Sequence, residues 1–271
     1  KSPFLIRALL AIEDLILREA DFVSTVSVQM LRRIQGRGAA NAFLFPNWTD
    51  IKQFYPIPDR KSIKKDFGFS ETDKIVLYSG AIGEKQGLES ILYAAYENRA
   101  IDNLKFIICG GGPYKTILER RSRELDLTNV FFLPLQPLAA FNRFLNLADL
   151  HLIIQKSGAS DLVTPSKLGA ILAVGGAALV TANPGTSLHS LIQKHNIGFL
   201  INCDNSTELN KAIRDLIADE CFSVCENARR YAVDYLSIEK VMAEFENTLT
   251  GEVSADRPEN VATRAIKEVA S

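Results

Sequence analysis

Hydrophobic and polar positions alternate with two different periods along most of the chain. From Lys74 onward, apolar runs of strand length are separated by stretches whose apolar positions recur at helical spacing. The predicted strands are Ile75–Ser79, Leu104–Cys109, Val130–Leu133, Leu150–Ile154, Ala177–Thr181 and Gly198–Ile201. Helices are predicted near Leu88–Asn98, Tyr114–Leu125 and Ala139–Asn146, and at Ser166–Val174 and Ser187–His195. Because parallel strands need crossover connections, this alternation predicts an α/β fold with a doubly wound parallel sheet.

The first segment of the chain is predicted to be an amphipathic helix. In the stretch PFLIRALLAIEDLIL, the apolar residues that follow helical spacing are Phe4, Leu5, Ala8, Leu9, Ile12, Leu15 and Ile16. Arg7, Glu13 and Asp14 interrupt this stretch, so it is too short and too charged for a transmembrane helix. We expect its apolar face to pack on another domain. Contact with a membrane surface is the alternative.

Shorter elements flank the predicted sheet. Asp21–Ser27 and Ala42–Phe45 are predicted strands, and Val28–Gln35 is a predicted helical turn. The charged, proline-containing stretch Asp50–Lys65 has the composition of a linker, and we place a domain boundary near it. After the sheet, helices are predicted at Ser206–Ala218, Phe222–Tyr235 and Ile238–Leu249. The polar remainder of the chain is predicted to be poorly ordered or to form an isolated helix.

Composition and charge narrow the function classes. The 271 residues are 47% hydrophobic, which is enough for a packed core, and the net charge of -1 gives no electrostatic footprint for nucleic acid. We therefore expect no nucleic-acid partner. Four scattered cysteines without a CxxC pair favour reduced thiols in a cytoplasmic protein over disulfides or zinc.

The loop before the fourth predicted sheet helix is a candidate anion site. Pro165-Ser166-Lys167 opens this helix, and the first amides of a helix lack partners within it. Proline suits a helix entrance, Ser166 can cap it, and Lys167 adds a full positive charge. The alternative is the ordinary strand-loop-helix repeat of any α/β domain, which binds nothing.

Three further loops leave the same predicted edge of the sheet. In the loop Ser79–Gly87, glycines let the backbone approach a ligand and Lys85 can reach a phosphate. The run Gly110–Pro113 favours a tight turn that needs positive φ, with phosphate contact as the alternative. The apolar loop Pro134–Leu138, which contains Leu135, is the kind of wall against which a flat base can lie.

Taken in order, these motifs resemble a known family. Gly80-x4-Lys85-x-Gly87, Gly110-Gly111-Gly112-Pro113, and the block from Asp161 to Leu168 with its Ala-x-Gly-Gly end resemble the donor-binding lobe of retaining GT-B glycosyltransferases. The likeness covers roughly Asp21 to Leu249 and is greatest to bacterial capsule and colanic-acid biosynthesis enzymes. It implies a Rossmann-like C-terminal lobe and a helical remnant of the N-terminal lobe.

The resemblance also implies roles for individual residues. Lys85, with the backbone of Gly80 and Ala81, would neutralise the diphosphate of a sugar nucleotide as it leaves. Pro165, Ser166 and Lys167 would hold the same phosphates from the helix start, and Leu135 would contact the nucleotide. The donor would be a GDP- or UDP-sugar, with no cofactor and no metal, because the chain has no Asp-x-Asp pair.

Two positions depart from the family pattern. Many relatives have an arginine where this chain has Ala81, so part of the phosphate charge must be met elsewhere, for which Lys167 is the candidate. Relatives also have two glutamates seven residues apart, and the second aligns here with Ala170 or Gly169. Asp161 is the candidate catalytic replacement for the first glutamate; the alternative is an aspartate that caps its loop.

The implied organisation is a remnant of the N-terminal lobe in residues 1–46, a nucleotide-sugar-binding lobe in 47–236, a crossover helix in 237–250 and a polar tail in 251–271. The implied function is retaining, metal-independent transfer of a hexose to a growing surface polysaccharide, with a lipid-linked or oligosaccharide acceptor held by the missing N-terminal lobe. We expect a cytoplasmic protein, with peripheral contact to the inner face of the cytoplasmic membrane as a further option. The alternative function is a non-catalytic nucleotide-sugar-binding module. A nicotinamide enzyme is disfavoured because no GxGxxG follows the first sheet strand.

Overall fold

The computed structural model describes residues 2–156, 165–219 and 221–251. Its strands are β1 Val23–Thr25, β2 Ala42–Leu44, β3 Lys74–Ser79, β4 Leu104–Cys109, β5 Val130–Leu133, β6 Leu150–Ile153, β7 Ala178–Thr181 and β8 Phe199–Ile201. The α-helices are α1 Pro3–Glu19, α2 Val28–Gln35, α3 Arg60–Asp66, α4 Glu89–Glu97, α5 Lys115–Glu124, α6 Leu138–Asn146, α7 Lys167–Ala173, α8 Ser187–His195, α9 Ser206–Ile217, α10 Phe222–Tyr231 and α11 Ile238–Thr250. A 3₁₀ turn spans Glu84–Gln86, and a π-helix spans Ala232–Leu236.

The main sheet has six strands in the order β5-β4-β3-β6-β7-β8. Every neighbouring pair of strands in it is parallel, which confirms the predicted fold class. The first strand of this sheet along the chain is the central β3. Strands β4 and β5 follow on one side of it, and β6 is then added on its other side. The order of the strands therefore reverses between β3 and β6, and such a switch point opens a crevice at the carboxyl ends of the strands.

The core lies on both faces of this sheet. On β3, Val76 and Tyr78 pack on the face covered by α4, α5 and α9, whereas Ile75 and Leu77 pack on the face covered by α3 and α6. All four side chains are fully buried. Burial on both faces explains why the strands of the main sheet are continuous apolar runs rather than alternating ones.

The predicted linker contains a helix that the sequence analysis did not predict. Helix α3 starts at Asp59, whose Oδ1 accepts a hydrogen bond from the Ser62 amide at 3.1 Å. The chain before it is fixed to α6, because Asn142 and Asn146 accept hydrogen bonds from the amides of Tyr55 (3.0 Å) and Ile57 (2.7 Å). The prediction of a linker loop over Asp50–Lys65 is wrong from Arg60 onward, because the capping aspartate outweighs the charged composition.

Helix α3 also contributes a buried ion pair. The Nζ atom of Lys64 lies 2.8 Å from Oδ2 of Asp149 and 2.6 Å from the carbonyl oxygen of Asp73. The same Asp149 oxygen accepts a hydrogen bond from the Ile75 amide at 2.7 Å, so the pair ties α3 to the start of β3 and β6. We expect Lys64→Met to lower the free energy of unfolding by about 3 kcal/mol, because it leaves a largely buried carboxylate without its cation. Urea denaturation measures this loss.

The neighbouring lysine provides the control for that experiment. Lys65 pairs with Glu71 at the surface, and its side chain is exposed. We expect Lys65→Met to change stability by less than about 1 kcal/mol, as for other exposed pairs. Equal losses in the two variants would contradict the account of Lys64.

The N-terminal elements form a small unit beside the sheet. Strands β1 and β2 pair in parallel, and Leu31 and Ile34 of α2 are buried beneath them. Helix α11 returns to this unit: the Phe245 ring centroid lies 4.6 Å from that of Phe45 and 6.0 Å from that of Phe43. Helix α11 therefore packs against the segment that begins with β2.

Helix α1 leaves its apolar side chains at the surface of the described chain. Phe4 is 81% exposed, and no residue of α1 is buried by the other described residues. The helix is fixed by Arg37, whose guanidinium pairs with Glu13 and Asp14. Within the described ranges, no helix combines the length and apolar character needed to cross a membrane.

Candidate functional site

Loops gather at the carboxyl edge of the main sheet. Because the strands are parallel, the segments that follow β3, β4, β5 and β6 all leave from this edge, as the sequence predicts. The two that follow β3 and β6 flank the point where the strand order reverses. The described residues of these two segments therefore lie beside the switch point, where parallel sheets of this kind bind their ligands.

The glycine run after β4 supports the loop that follows β3. Gly80 and Ile82 donate backbone hydrogen bonds to the carbonyl oxygens of Cys109 and Gly111, both at 2.9 Å. Gly110 has φ +150°, and a Cβ built on it would lie 1.9 Å from the Gly80 carbonyl oxygen. A Cβ on Gly112 would lie 2.2 Å from the carbonyl oxygen of Ile82. These glycines therefore allow two backbones to touch, and Gly110 and Gly112 have the positive φ that the sequence predicts for this run.

Lys167 lies against the first glycine of that loop. Its Nζ atom is 3.1 Å from the position that a Cβ on Gly80 would take, and 3.7 Å from the centroid of the Tyr78 ring. The Tyr78 hydroxyl donates a hydrogen bond to the Ala81 carbonyl oxygen at 2.7 Å. Burial lowers the pKa of Lys167 to about 8. The structure thus brings the Lys167 ammonium beside Gly80 and Tyr78, and Tyr78 contacts Ala81. Lys167 can therefore supply a positive charge that the alanine at position 81 cannot.

Lys85 sits on the outer part of the same loop. It is exposed, in the middle of the 3₁₀ turn Glu84–Gln86. Gly87 ends this turn in the left-handed region at φ +68°. The turn places Lys85 between Gly83 and Gly87, with its side chain exposed to solvent.

Lys156, on the segment after β6, covers the second of those glycines. Its Cγ and Cε atoms lie 3.2 and 3.3 Å from the position of a Cβ on Gly87. Lys167 and Lys156 therefore occupy the spaces that Gly80 and Gly87 leave open, one at each end of the loop that carries Lys85.

Ser166 does not cap the helix that it precedes. It stands at the N-cap of α7 with helical dihedral angles of φ -58° and ψ -29°, and its side chain makes no capping hydrogen bond. A capping residue needs an extended backbone to turn its oxygen back onto the helix. The prediction of a serine cap is wrong, and the Ser166 side chain is exposed. Pro165 stands before it and accepts a hydrogen bond from the Leu168 amide at 3.0 Å.

The loop after β5 presents apolar side chains at the edge. Leu135 is 70% exposed and Leu138 is 65% exposed. Pro134 directly follows β5, and its carbonyl oxygen accepts hydrogen bonds from Cys109 Sγ at 3.1 Å and Gln136 Nε2 at 2.9 Å. These bonds fix the start of the loop. An apolar surface on a fixed loop suits contact with a planar base, as the sequence analysis expects.

One departure from the family pattern has a steric explanation. A Cβ on Gly169 would lie 2.2 Å from Oγ1 of the buried Thr49. The Thr49 amide in turn donates a hydrogen bond to the Leu236 carbonyl oxygen at 2.7 Å. A glutamate therefore does not fit at position 169. The candidate catalytic Asp161 lies outside the described residues.

Sequence reasoning missed three residues of this edge: Tyr78, Lys156 and Thr181. Tyr78 had one signal, because it is the only aromatic residue in an otherwise aliphatic strand. Lys156 had none beyond its place two residues after the predicted strand Leu150–Ile154. The buried Thr181 accepts a hydrogen bond from the Gln155 amide at 2.7 Å and donates one to the Gln155 carbonyl oxygen at 3.0 Å, which depends on the pairing of β7 with β6.

The described residues contain neither a disulfide nor a group of side chains that could hold a metal ion. All four cysteines are free, as predicted. Over residues 2–156, 165–219 and 221–251, His, Cys, Asp and Glu side chains form no group of three that could hold a metal ion. A surface pocket lies at the opposite, amino end of β5, where Arg123 and Asp126 line it.

The strand order and the loops at its switch point define a Rossmann-like α/β lobe of the class that binds its ligands at the carboxyl edge. The chain belongs to the family of glycosyl transferases group 1, whose sequence profile matches residues 59–234. It is 37% identical over 240 residues to a protein of Escherichia coli strain K12 named as a colanic acid biosynthesis glycosyl transferase, WcaI. The match covers 87% of this chain and 58% of the relative, so the chain spans less than two thirds of that protein.

Solved structures share the fold at low sequence identity. Anabaena HepE in complex with UDP and glucose superposes with a TM-score of 0.77 at 18% identity, over 93% of this chain and 68% of that one. Sucrose-phosphate synthase from Thermosynechococcus elongatus gives a TM-score of 0.75 at 19% identity, over 91% and 63% of the two chains. Together with the family match, they confirm the GT-B resemblance.

Proposed function

We propose that this chain is the donor-binding part of a glycosyltransferase. It binds a GDP- or UDP-sugar, and the whole enzyme transfers the sugar, with retention, to a growing bacterial surface polysaccharide. The observation that carries the proposal is the placement of the Lys167 ammonium against Gly80, beside the loop that carries Lys85. The structure of HepE with UDP and the name of WcaI support the donor class and the polysaccharide, respectively.

The chemistry follows from where charge develops. Breaking the bond between the sugar and the diphosphate leaves additional negative charge on the phosphate oxygens. Lys85, Lys167 and the backbone of Gly80 and Ala81 stabilise that charge, each charge-assisted hydrogen bond contributing about 1.5 to 3 kcal/mol. The exposed Ser166 hydroxyl and the backbone at Pro165 complete the phosphate side, and Leu135 contacts the base. Because lysines supply the charge, the proposal needs no metal and no cofactor.

The proposal also covers the acceptor, the location of the enzyme and the donor sugar. The acceptor, lipid-linked or an oligosaccharide, binds the N-terminal lobe of the whole enzyme. We place the enzyme in the cytoplasm, with peripheral contact at the inner face of the membrane where a lipid-linked acceptor would be held. Asp161 is the proposed carboxylate near the donor sugar.

A second function is favoured by one observation. Thr49 fills the space at Gly169, so a carboxylate that relatives place in this region has no room at that position. Loss of that group favours a nucleotide-sugar-binding module without transferase activity. Supplying the N-terminal lobe of a relative separates the two functions: an enzyme regains transfer, and a module binds the donor without transfer.

Calorimetric titration with GDP, UDP, ADP and NAD tests the proposed donor class. We expect GDP or UDP to bind, and Lys85→Ala to weaken that binding at least about tenfold, which is about 1.4 kcal/mol, because the variant removes one cation from the phosphates. Lys105→Ala is the control, since Lys105 lies at the amino end of β4, across the sheet from the crevice. Equal binding by the Lys85→Ala variant and the parent chain would contradict the assigned role of Lys85.

A further inference from the structure

We propose that Lys156 is a further phosphate-binding residue of the nucleotide site. This inference rests on the proposed function, because it assigns Lys156 to the diphosphate of the same donor. Neither the sequence motifs nor the family pattern pointed to this residue. Lys156 contacts Gly87, follows a backbone segment that Thr181 fixes, and lies at a loop that also carries or contacts Lys85 and Lys167.

The stem of Lys156 packs on Gly87, at one end of the loop that carries Lys85. The stem of Lys156 lies over Gly87 with Cγ and Cε within 3.3 Å of the Cβ position, and Nζ is one bond beyond Cε. Any side chain at residue 87 would displace this stem. The lysine is half-buried, so its carbon chain is held by packing while its ammonium remains available to a ligand.

The backbone before Lys156 is fixed. Thr181 Oγ1 bonds both the amide and the carbonyl of Gln155, at 2.7 and 3.0 Å, and Thr181 is itself 4% exposed. The residue that follows such a clamp starts from a defined position. A positioned lysine loses less conformational freedom when it binds an anion than a lysine on a free loop does.

The positive charges at this loop favour binding of an anion. Lys85 belongs to the segment 80–87, Lys167 and Lys156 pack on its two ends at Gly80 and Gly87, and no carboxylate of the described residues forms an ion pair with any of the three. Like charges in one crevice repel each other in the free protein. A diphosphate supplies the negative charge that relieves this repulsion, and three ammonium groups match it better than two.

Titration of Lys156→Gln with UDP and GDP, and with the nucleosides uridine and guanosine, tests the assignment. We expect the variant to bind the better diphosphate about tenfold more weakly than the parent chain. We expect Lys156→Arg to bind the diphosphate within about threefold of the parent affinity, because the charge is kept. Lys105→Gln should bind it with the parent affinity. Binding of the nucleosides should not change, since they have no phosphate.

The outcomes separate the two proposals. If the parent chain binds UDP or GDP and Lys156→Gln binds it equally well, Lys156 does not bind phosphate, while the proposed function stands. An equal loss for diphosphate and nucleoside also overturns the assignment, because it shows a general effect on the site. If the parent binds neither diphosphate, the proposed function fails and the assignment fails with it.

Discussion

Replacing Gly110 by alanine is expected to lower the free energy of unfolding by about 3 kcal/mol and to abolish nucleotide binding. At φ +150° the residue adopts a backbone conformation that side-chain-bearing residues rarely take, and the new Cβ would lie 1.9 Å from the carbonyl oxygen of Gly80. Either the loop after β3 moves away, or β4 distorts at its end. In both cases Gly80 and Ala81 leave the position in which they face Lys167.

The adjacent residue offers a matched control. Gly111 has no positive φ, and a Cβ built on it would meet no atom within 4 Å. We expect Gly111→Ala to keep the stability and nucleotide affinity of the parent chain. Urea denaturation and titration with UDP or GDP measure both effects. Similar behaviour of the two variants would show that close approach of the loops does not determine the site.

Removing the ammonium of Lys167 is expected to have the second large effect. Lys167→Met should weaken binding of the diphosphate about ten- to hundredfold at pH 7, because it removes a charge-assisted contact of about 1.5 to 3 kcal/mol. The loss should exceed that of an exposed surface lysine, since the ammonium is half-buried and already positioned over the Tyr78 ring.

The same residue predicts a pH dependence with a defined sign. Burial lowers the pKa of Lys167 to about 8, so the free protein loses this charge as the pH rises through 8. Only the ammonium attracts phosphate, and the phosphate itself is fully ionised well above its second pKa of about 6. Affinity should therefore fall between pH 7 and pH 9, by up to about tenfold per unit above 8.

Arginine at this position provides the control for the pH profile. Its guanidinium stays charged over the whole range, so Lys167→Arg should give a flat profile between pH 7 and pH 9. Lys85→Ala should bind more weakly but keep the fall above pH 8. A parent profile that is flat, or a fall that persists in Lys167→Arg, would show that another group titrates.

Much of the fold could be predicted from the sequence, because strands buried on both faces are short apolar runs that stand out from amphipathic helices. The observed strands of the main sheet lie within one residue of the predicted bounds, for example Leu104–Cys109 and Val130–Leu133. Helix α3 was missed because its charged sequence hides a buried lysine. In the sequence Lys64 resembles a surface residue, because its partner Asp149 is distant in the chain and meets it only in the folded protein.

The site was only partly predictable for a related reason. The glycine and lysine spacing of the loop after β3 indicates Gly80 and Lys85, and the Pro-Ser-Lys start of a helix indicates Lys167. Lys156 and Thr181 act through contacts between strands that are distant in the chain, and these depend on β6 lying between β3 and β7. The expected Ser166 cap failed because capping depends on backbone angles that residue type alone does not determine.

The central claim is that the edge between β3 and β6 holds the diphosphate of the donor, and a crystal structure of the chain with UDP or GDP tests it most directly. The account predicts phosphate oxygens within hydrogen-bond distance of Lys167 Nζ and of the backbone at Gly80 and Ala81, with the base near Leu135. A nucleotide bound elsewhere, for instance in the pocket lined by Arg123 and Asp126 at the opposite end of the sheet, would contradict it.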